Sequence, residues 1–107
     1  MQPFDMRVDV SGDTATVTLR GELDVATAPT LREQIVRLIS EGRSTIVFDC
    51  ANLDFIDSTG LGVLIGARAR SLAANGSVAL AGVKPALQRL LVVTGIDSLF
   101  QQASAAA

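Results

Sequence analysis

The sequence predicts an α/β fold: a mixed β-sheet with an opening β-hairpin, parallel strands at its centre and helices packed on the sheet. Three observations carry this. Apolar residues alternate with polar ones over the first part of the chain, two short aliphatic runs lie further on, and segments with apolar residues at helical spacing sit around them. Strands that alternate with helices after a hairpin are joined by crossovers, which sets neighbouring strands parallel.

Taken in order, Phe4, Met6, Val8 and Val10 alternate with polar residues, Ser11-Gly12-Asp13 interrupts, and Ala15, Val17 and Leu19 resume the alternation. That pattern is a hairpin with one buried face. After Gly21-Glu22-Leu23-Asp24 a helix is signalled by Thr27 as N-cap, Pro29 in the first turn, apolar Leu31, Ile35, Leu38 and Ile39, and Gly42 as the stop. Arg32, Glu33, Arg37 and Glu41 fall largely outside its apolar stripe. The continuous run Ile46-Val47-Phe48 predicts a strand covered on both faces, with Asp49 to Asp54 as its end and a loop. A second helix runs from Ser58 to about Asn75, with Leu61, Leu64, Ile65, Arg68 and Leu72 at helical spacing, and closes at Gly76. Val78-Ala79-Leu80-Ala81 reads as an interior strand. Lys84-Pro85 opens a third helix through Leu87, Leu90 and Leu91 that ends near Gly95, and Ile96 to Phe100 form a last short element. The predicted order is ββαβαβα. Residues 1–107 read as one domain, with Ala103 to Ala107 as a frayed, low-complexity tail.

Composition removes several functions. The chain is 49% hydrophobic with four Phe and no Trp or Tyr, so its core is aliphatic. Nine basic against eleven acidic residues give a net charge of −2, which excludes the basic footprint of a nucleic-acid or anionic-lipid binder. A single cysteine, Cys50, builds neither an intrachain disulfide nor a cysteine metal site, and the absence of histidine removes the common zinc sites and His-dependent triads. No catalytic residue, metal or cofactor is assigned. Met1 to Asp9 lack an apolar signal core and no run of about 18 apolar residues occurs, so a cytoplasmic protein without membrane insertion is expected.

The chemistry concentrates in Phe55-Ile56-Asp57-Ser58-Thr59-Gly60-Leu61-Gly62, an acid and two hydroxyls where a strand gives way to a helix. Ser, Thr and Asp at such a point cap helices. A hydroxyl there also faces unpaired backbone N–H groups that favour a phosphate, so it is a candidate for modification. Gly60, Gly62 and Gly66 each weaken helix propensity by about 1 kcal/mol relative to Ala, and stability alone does not choose them. They permit a partner or a neighbouring strand to approach closely. Asp57 is assigned either to backbone amides of the helix start or to recognition. Leu61, Leu64 and Ile65 fit a core at helical spacing, with a partly exposed Leu61 as a contact patch.

Two other chemistries fit poorly. Gly60-x-Gly62-x-x-x-Gly66 after a strand superficially suggests a dinucleotide loop, but Val78-Ala79-Leu80-Ala81-Gly82 lacks the acidic ribose-binding residue. An aspartyl-phosphate at Asp57 needs a paired acidic magnesium site and a lysine, and the one late lysine, Lys84, precedes Pro85.

With Gly21-Glu22-Leu23-Asp24, Ile46-Val47-Phe48-Asp49, Ile56-Asp57-Ser58-Thr59-Gly60-Leu61-Gly62-Val63-Leu64, Thr94-Gly95-Ile96 and Leu99-Phe100 in this order, the chain resembles a STAS domain of the anti-sigma-factor antagonist type. The resemblance spans nearly the whole length. It implies a bacterial partner-switching protein without catalysis of its own, acting in transcription regulation. The unmodified form would bind an anti-sigma factor that is also a serine kinase, and so release the sigma factor. Phosphorylation at Ser58, with Thr59 as the lesser candidate, would switch binding off, and a PP2C-type phosphatase would restore it. By position, Glu22, Asp24, Thr27, Asp57, Ser58, Thr59, Gly60, Leu61 and Gly62 would form the partner-binding face. The rival within the same fold is a STAS interaction module that is never phosphorylated, in a signalling scaffold or a lipid-transport complex, with the serine as a helix cap.

Overall fold

In the computed structural model, which describes residues 4–103, five strands form one sheet in the order β1-β2-β3-β4-β5. They are β1 (Asp5–Ser11), β2 (Thr14–Leu23), β3 (Thr45–Ile56), β4 (Ser77–Ala81) and β5 (Gln101–Ala103). Three helices connect them: α1 (Ala28–Ser40) between β2 and β3, α2 (Ser58–Ala73) between β3 and β4, and α3 (Pro85–Val93) between β4 and β5. A short 3-10 turn (Asp97–Leu99) precedes β5. β1 and β2 pair antiparallel as the predicted hairpin, with Met6 opposite Leu19 and Val8 opposite Val17. The remaining pairings are parallel.

Right-handed crossovers that step along a sheet in one direction lay every connecting helix on the same face. The core is accordingly one cluster. Val17 and Leu19 of β2, Ile46, Phe48 and Cys50 of β3, and Val78 and Leu80 of β4 meet Leu31 and Ile35 of α1, Leu64 of α2, and Leu87 and Leu91 of α3. Alternate strand residues, Thr16, Thr18, Val47, Asp49 and Ala79, turn to the other face and are only half-buried. This corrects the expectation that β3 is covered on both faces. Its apolar run contains one outward residue, Val47, among two inward ones.

Two further differences from the sequence reading concern strand ends. β3 does not stop near Asp49 but continues to Ile56, pairing with β2 through Gly21–Leu53 and Leu23–Ile56, with register shifts on the way. Beyond Asp49 it has no β4 partner, since β4 ends at Ala81. The reading also lacked β5, which pairs Ala79 with Gln101 and Ala81 with Ala103. Ala103 is therefore a strand residue, and the rest of the expected frayed tail lies outside the described residues.

Candidate functional site

The overhang of β3 carries the chain past its neighbour β4 and delivers Asp57-Ser58 beside the loop that leaves β2. The Asp57 amide donates to the Leu23 carbonyl at 3.1 Å, so the strand pairing passes directly into the helix start. Asp57 has extended backbone and is the N-cap of α2, its Oδ1 accepting from the Gly60 amide at 2.9 Å. Its Oδ2 accepts from the Val25 amide at 3.2 Å, thirty-two residues away. One carboxylate thus closes the helix and ties the β2–α1 loop to it. Of the two roles left open for Asp57, the amide-binding one is what the geometry displays.

The loop itself is stitched by short contacts. The Thr27 hydroxyl donates to the Glu22 carbonyl at 2.9 Å and accepts from the Asp24 amide at 2.9 Å. The Asp24 Oδ1 accepts from the amides of Ala26 at 3.0 Å and Thr27 at 3.2 Å. Thr27 occupies the N-cap position of α1 without a capping hydrogen bond from its side chain. The hydroxyl is already committed to the loop, so the expected cap is replaced by a staple.

Ser58 is exposed at the first position of α2, and Thr59 is exposed beside it. Among the described residues neither hydroxyl has a hydrogen-bond partner. The capping work expected of this segment falls to Asp57, which leaves the Ser58 oxygen uncommitted. The amides of Ser58 and Thr59 are the remaining unpaired donors of the first turn, because Gly60 and Leu61 donate to the side chain and carbonyl of Asp57. A phosphate on Ser58 would meet those donors and the positive end of the helix dipole, and also the neighbouring carboxylate of Asp57, which the Val25 amide ties to the loop that bears Asp24 and Glu22. No cation hydrogen-bonds to any of these three among the described residues.

Two residues expected on the contact surface lie inside. Leu61 is 7% exposed and belongs to the core, because helical spacing turns it with Leu64 toward the sheet. Gly60 is buried, and a Cβ there would stand 2.7 Å from the Leu23 carbonyl oxygen and 2.8 Å from Leu23 Cγ. Gly62 is exposed, and a Cβ there or at Gly66 would meet nothing within 4 Å. Glu22, Asp24, Thr27 and Asp57 are half-buried. The apolar part of the surface comes instead from Val25, 69% exposed beside its bond to Asp57, and Phe55, 50% exposed at the end of β3. The signal for Phe55 was present in the sequence. In a strand only one of the neighbours Phe55 and Ile56 can face the core. A cleft of about 140 Å³ lies beside Phe55, lined also by Ile56, Leu87 and Leu90, with the Lys84–Asp54 ion pair (3.0 Å) at its rim.

This fold recurs in known proteins. A family model described as the STAS domain matches residues 5–106. The anti-sigma-B factor antagonist of Bacillus subtilis (strain 168) is 35% identical over 98 residues, covering 90% of this chain and 89% of that protein. Among solved structures, the anti-sigma factor antagonist SpoIIAA in its unphosphorylated form superposes with a TM-score of 0.78 at 25% identity, covering 96% of this chain and 89% of that one. The phosphorylated form of the Bacillus cell fate determinant SpoIIAA gives 0.76 at 26% identity, covering 97% and 94%. Similarity of this extent in sequence and backbone places the chain in the STAS domain family, alongside the anti-sigma-factor antagonists.

Proposed function

We propose that this chain is an anti-sigma-factor antagonist, a cytoplasmic binding protein without catalysis of its own whose binding is switched at Ser58. In the unmodified form it engages an anti-sigma factor that is also a serine kinase, and the sigma factor is released. Phosphorylation of Ser58 ends the engagement, and a PP2C-type phosphatase reverses it. The observation that carries this reading is the exposed, unbonded Ser58 hydroxyl beside an aspartate that already caps the helix. A serine retained as a cap would hold that bond itself, which is what the rival of an unmodified interaction module requires.

The energetics suit a switch. Phosphate adds about −1.5 to −2 charges, and at a helix N-terminus an anion is stabilising by about 0.3–1 kcal/mol, so the fold persists. Loss of the partner by a factor of one hundred takes about 2.7 kcal/mol. Two like charges about 5 Å apart at an effective dielectric near 20 repel by roughly 3 kcal/mol. One phosphate against one partner carboxylate therefore suffices. Incubation with the cognate kinase and ATP tests the assignment: Ser58→Ala takes up no phosphate, Thr59→Ala does, and Ser58→Asp binds the kinase at least tenfold more weakly. Unchanged uptake by Ser58→Ala would refute it.

A further inference from the structure

Charge is segregated in this fold. The helices carry Arg32 and Arg37 on α1, Arg68 and Arg70 on α2, and Arg89 on α3, against one carboxylate within them, Glu33. The chain as a whole has a net charge of −2, so the helical layer stands out as its cationic side. Between α1 and α2 runs a groove of about 260 Å³, walled by Arg32 on one helix and by Thr59 and Arg70 on the other. Between these side chains it is lined by Ile35, Val63 and Ala67 and by Gly62 and Gly66, where a Cβ would meet empty space. No carboxylate lines it, and among the described residues neither Arg32 nor Arg70 has an ion-pair or hydrogen-bond partner. From Thr59 to Arg70 the helix advances roughly 16 Å at 1.5 Å per residue, enough for about three turns of a docked helix.

We propose that this groove receives an acidic segment of the protein partner, with its carboxylates on Arg32 and Arg70 and its backbone lying over Gly62 and Gly66. Two helices pack closely where one presents glycine, and guanidinium pairs carboxylate in a bidentate fork, so floor and rim both suit such an occupant. The groove begins at Thr59, the residue after Ser58. A phosphate on Ser58 thus puts negative charge at the end of the groove, where it opposes the acidic segment. The inference rests on the function proposed above and adds to it the chemistry of the partner and a surface outside the β2–α1 loop.

The test is titration calorimetry of the full chain against its cognate anti-sigma kinase at low and high salt. Arg32→Glu/Arg70→Glu weakens binding at least tenfold and flattens its salt dependence, whereas Arg37→Glu/Arg89→Glu, with the same change of net charge elsewhere on the layer, stays within about threefold. Gly66→Leu fills the groove. It melts no lower than the wild type, because leucine is the better helix former, yet it also loses at least tenfold in affinity. Groove variants that bind like wild type while Ser58→Asp does not bind would overturn the groove and leave the switch standing. Equal losses in both arginine pairs would overturn it in favour of diffuse attraction. ATP binding to the isolated chain that is lost in Arg32→Glu/Arg70→Glu would overturn it in favour of a polyphosphate. A wild-type chain that binds no anti-sigma kinase removes the functional reading, and this inference falls with it.

Discussion

Three glycines in one helix invite the same substitution and should answer it with opposite signs. Gly60, Gly62 and Gly66 all lie in α2. Replacing glycine by alanine inside a helix stabilises by about 1 kcal/mol, through reduced backbone freedom in the unfolded chain and better propensity. At Gly62 and Gly66 the added methyl meets nothing within 4 Å, so the gain is undiminished. One kcal/mol raises the melting temperature of a domain this size by about 4–8 °C. At Gly60 the methyl would lie 2.7 Å from the Leu23 carbonyl oxygen, 2.8 Å from Leu23 Cγ and 3.0 Å from Ile56 Cγ1. The carbonyl cannot withdraw, since Leu23 pairs with Ile56 and accepts the Asp57 amide. The helix start must shift instead, and overpacking of this kind costs about 1–3 kcal/mol, more than the propensity gain. Gly60→Ala and Gly66→Ala therefore differ by about 1–3 kcal/mol in urea denaturation followed by circular dichroism. Equal midpoints for the two variants, with equal slopes, would show that the contact between the start of α2 and the end of β2 is not the reason for Gly60.

Asp57→Ala removes an N-cap bond and the bond to the Val25 amide, at about 1 kcal/mol each, and should lower the unfolding free energy by about 2 kcal/mol. Native-state hydrogen exchange at Gly60 and Val25 should accelerate in the same variant, and unchanged protection there would refute the clamp. Burial, with a smaller contribution from the Asp49 charge, pushes the Cys50 thiol from its ordinary 9.0 up to about 12. The thiol is protonated and enclosed in the folded chain, so modification by a thiol reagent at pH 8 should proceed only as fast as the chain opens. Because the folded value is the higher one, the thiol's contribution to stability is complete below pH 9. It falls by about 1.4 kcal/mol per pH unit between 9 and 12, and Cys50→Ala should abolish that slope.

The hairpin, the three helices and the exposed serine were legible because each has a local cause. Met6 and Val8 alternate on a half-buried ribbon, Pro29 and Pro85 open helices, and Asp57 satisfies the first turn of α2. What was illegible depends on neighbours distant in sequence. The second half of β3 has one strand beside it, so Asn52 and Asp54 remain exposed while Leu53 is buried, and the register shift against Gly21 and Glu22 interrupts the alternation. A polar stretch of this kind reads as a loop. β5 contributes Gln101 and Gln102, which carry no strand pattern, and its assignment comes from the edge that β4 offers. At the site, Thr27 fits a cap by type and position, but its hydroxyl is taken by the Glu22 carbonyl. Leu61 was counted both as core and as contact, and helix geometry admits only the first.

The strands lie side by side in the order in which they are synthesised, so none has to be threaded between two that are already paired. Each new strand is added at a free edge, beside the one synthesised before it. The hydroxyl, the carboxylate beside it and the loop they share come from residues 22–61, and β4 and β5 extend the sheet on the side of β3 away from β2. A change confined to the β5 edge should therefore leave the corner at Asp57 and Ser58 in place.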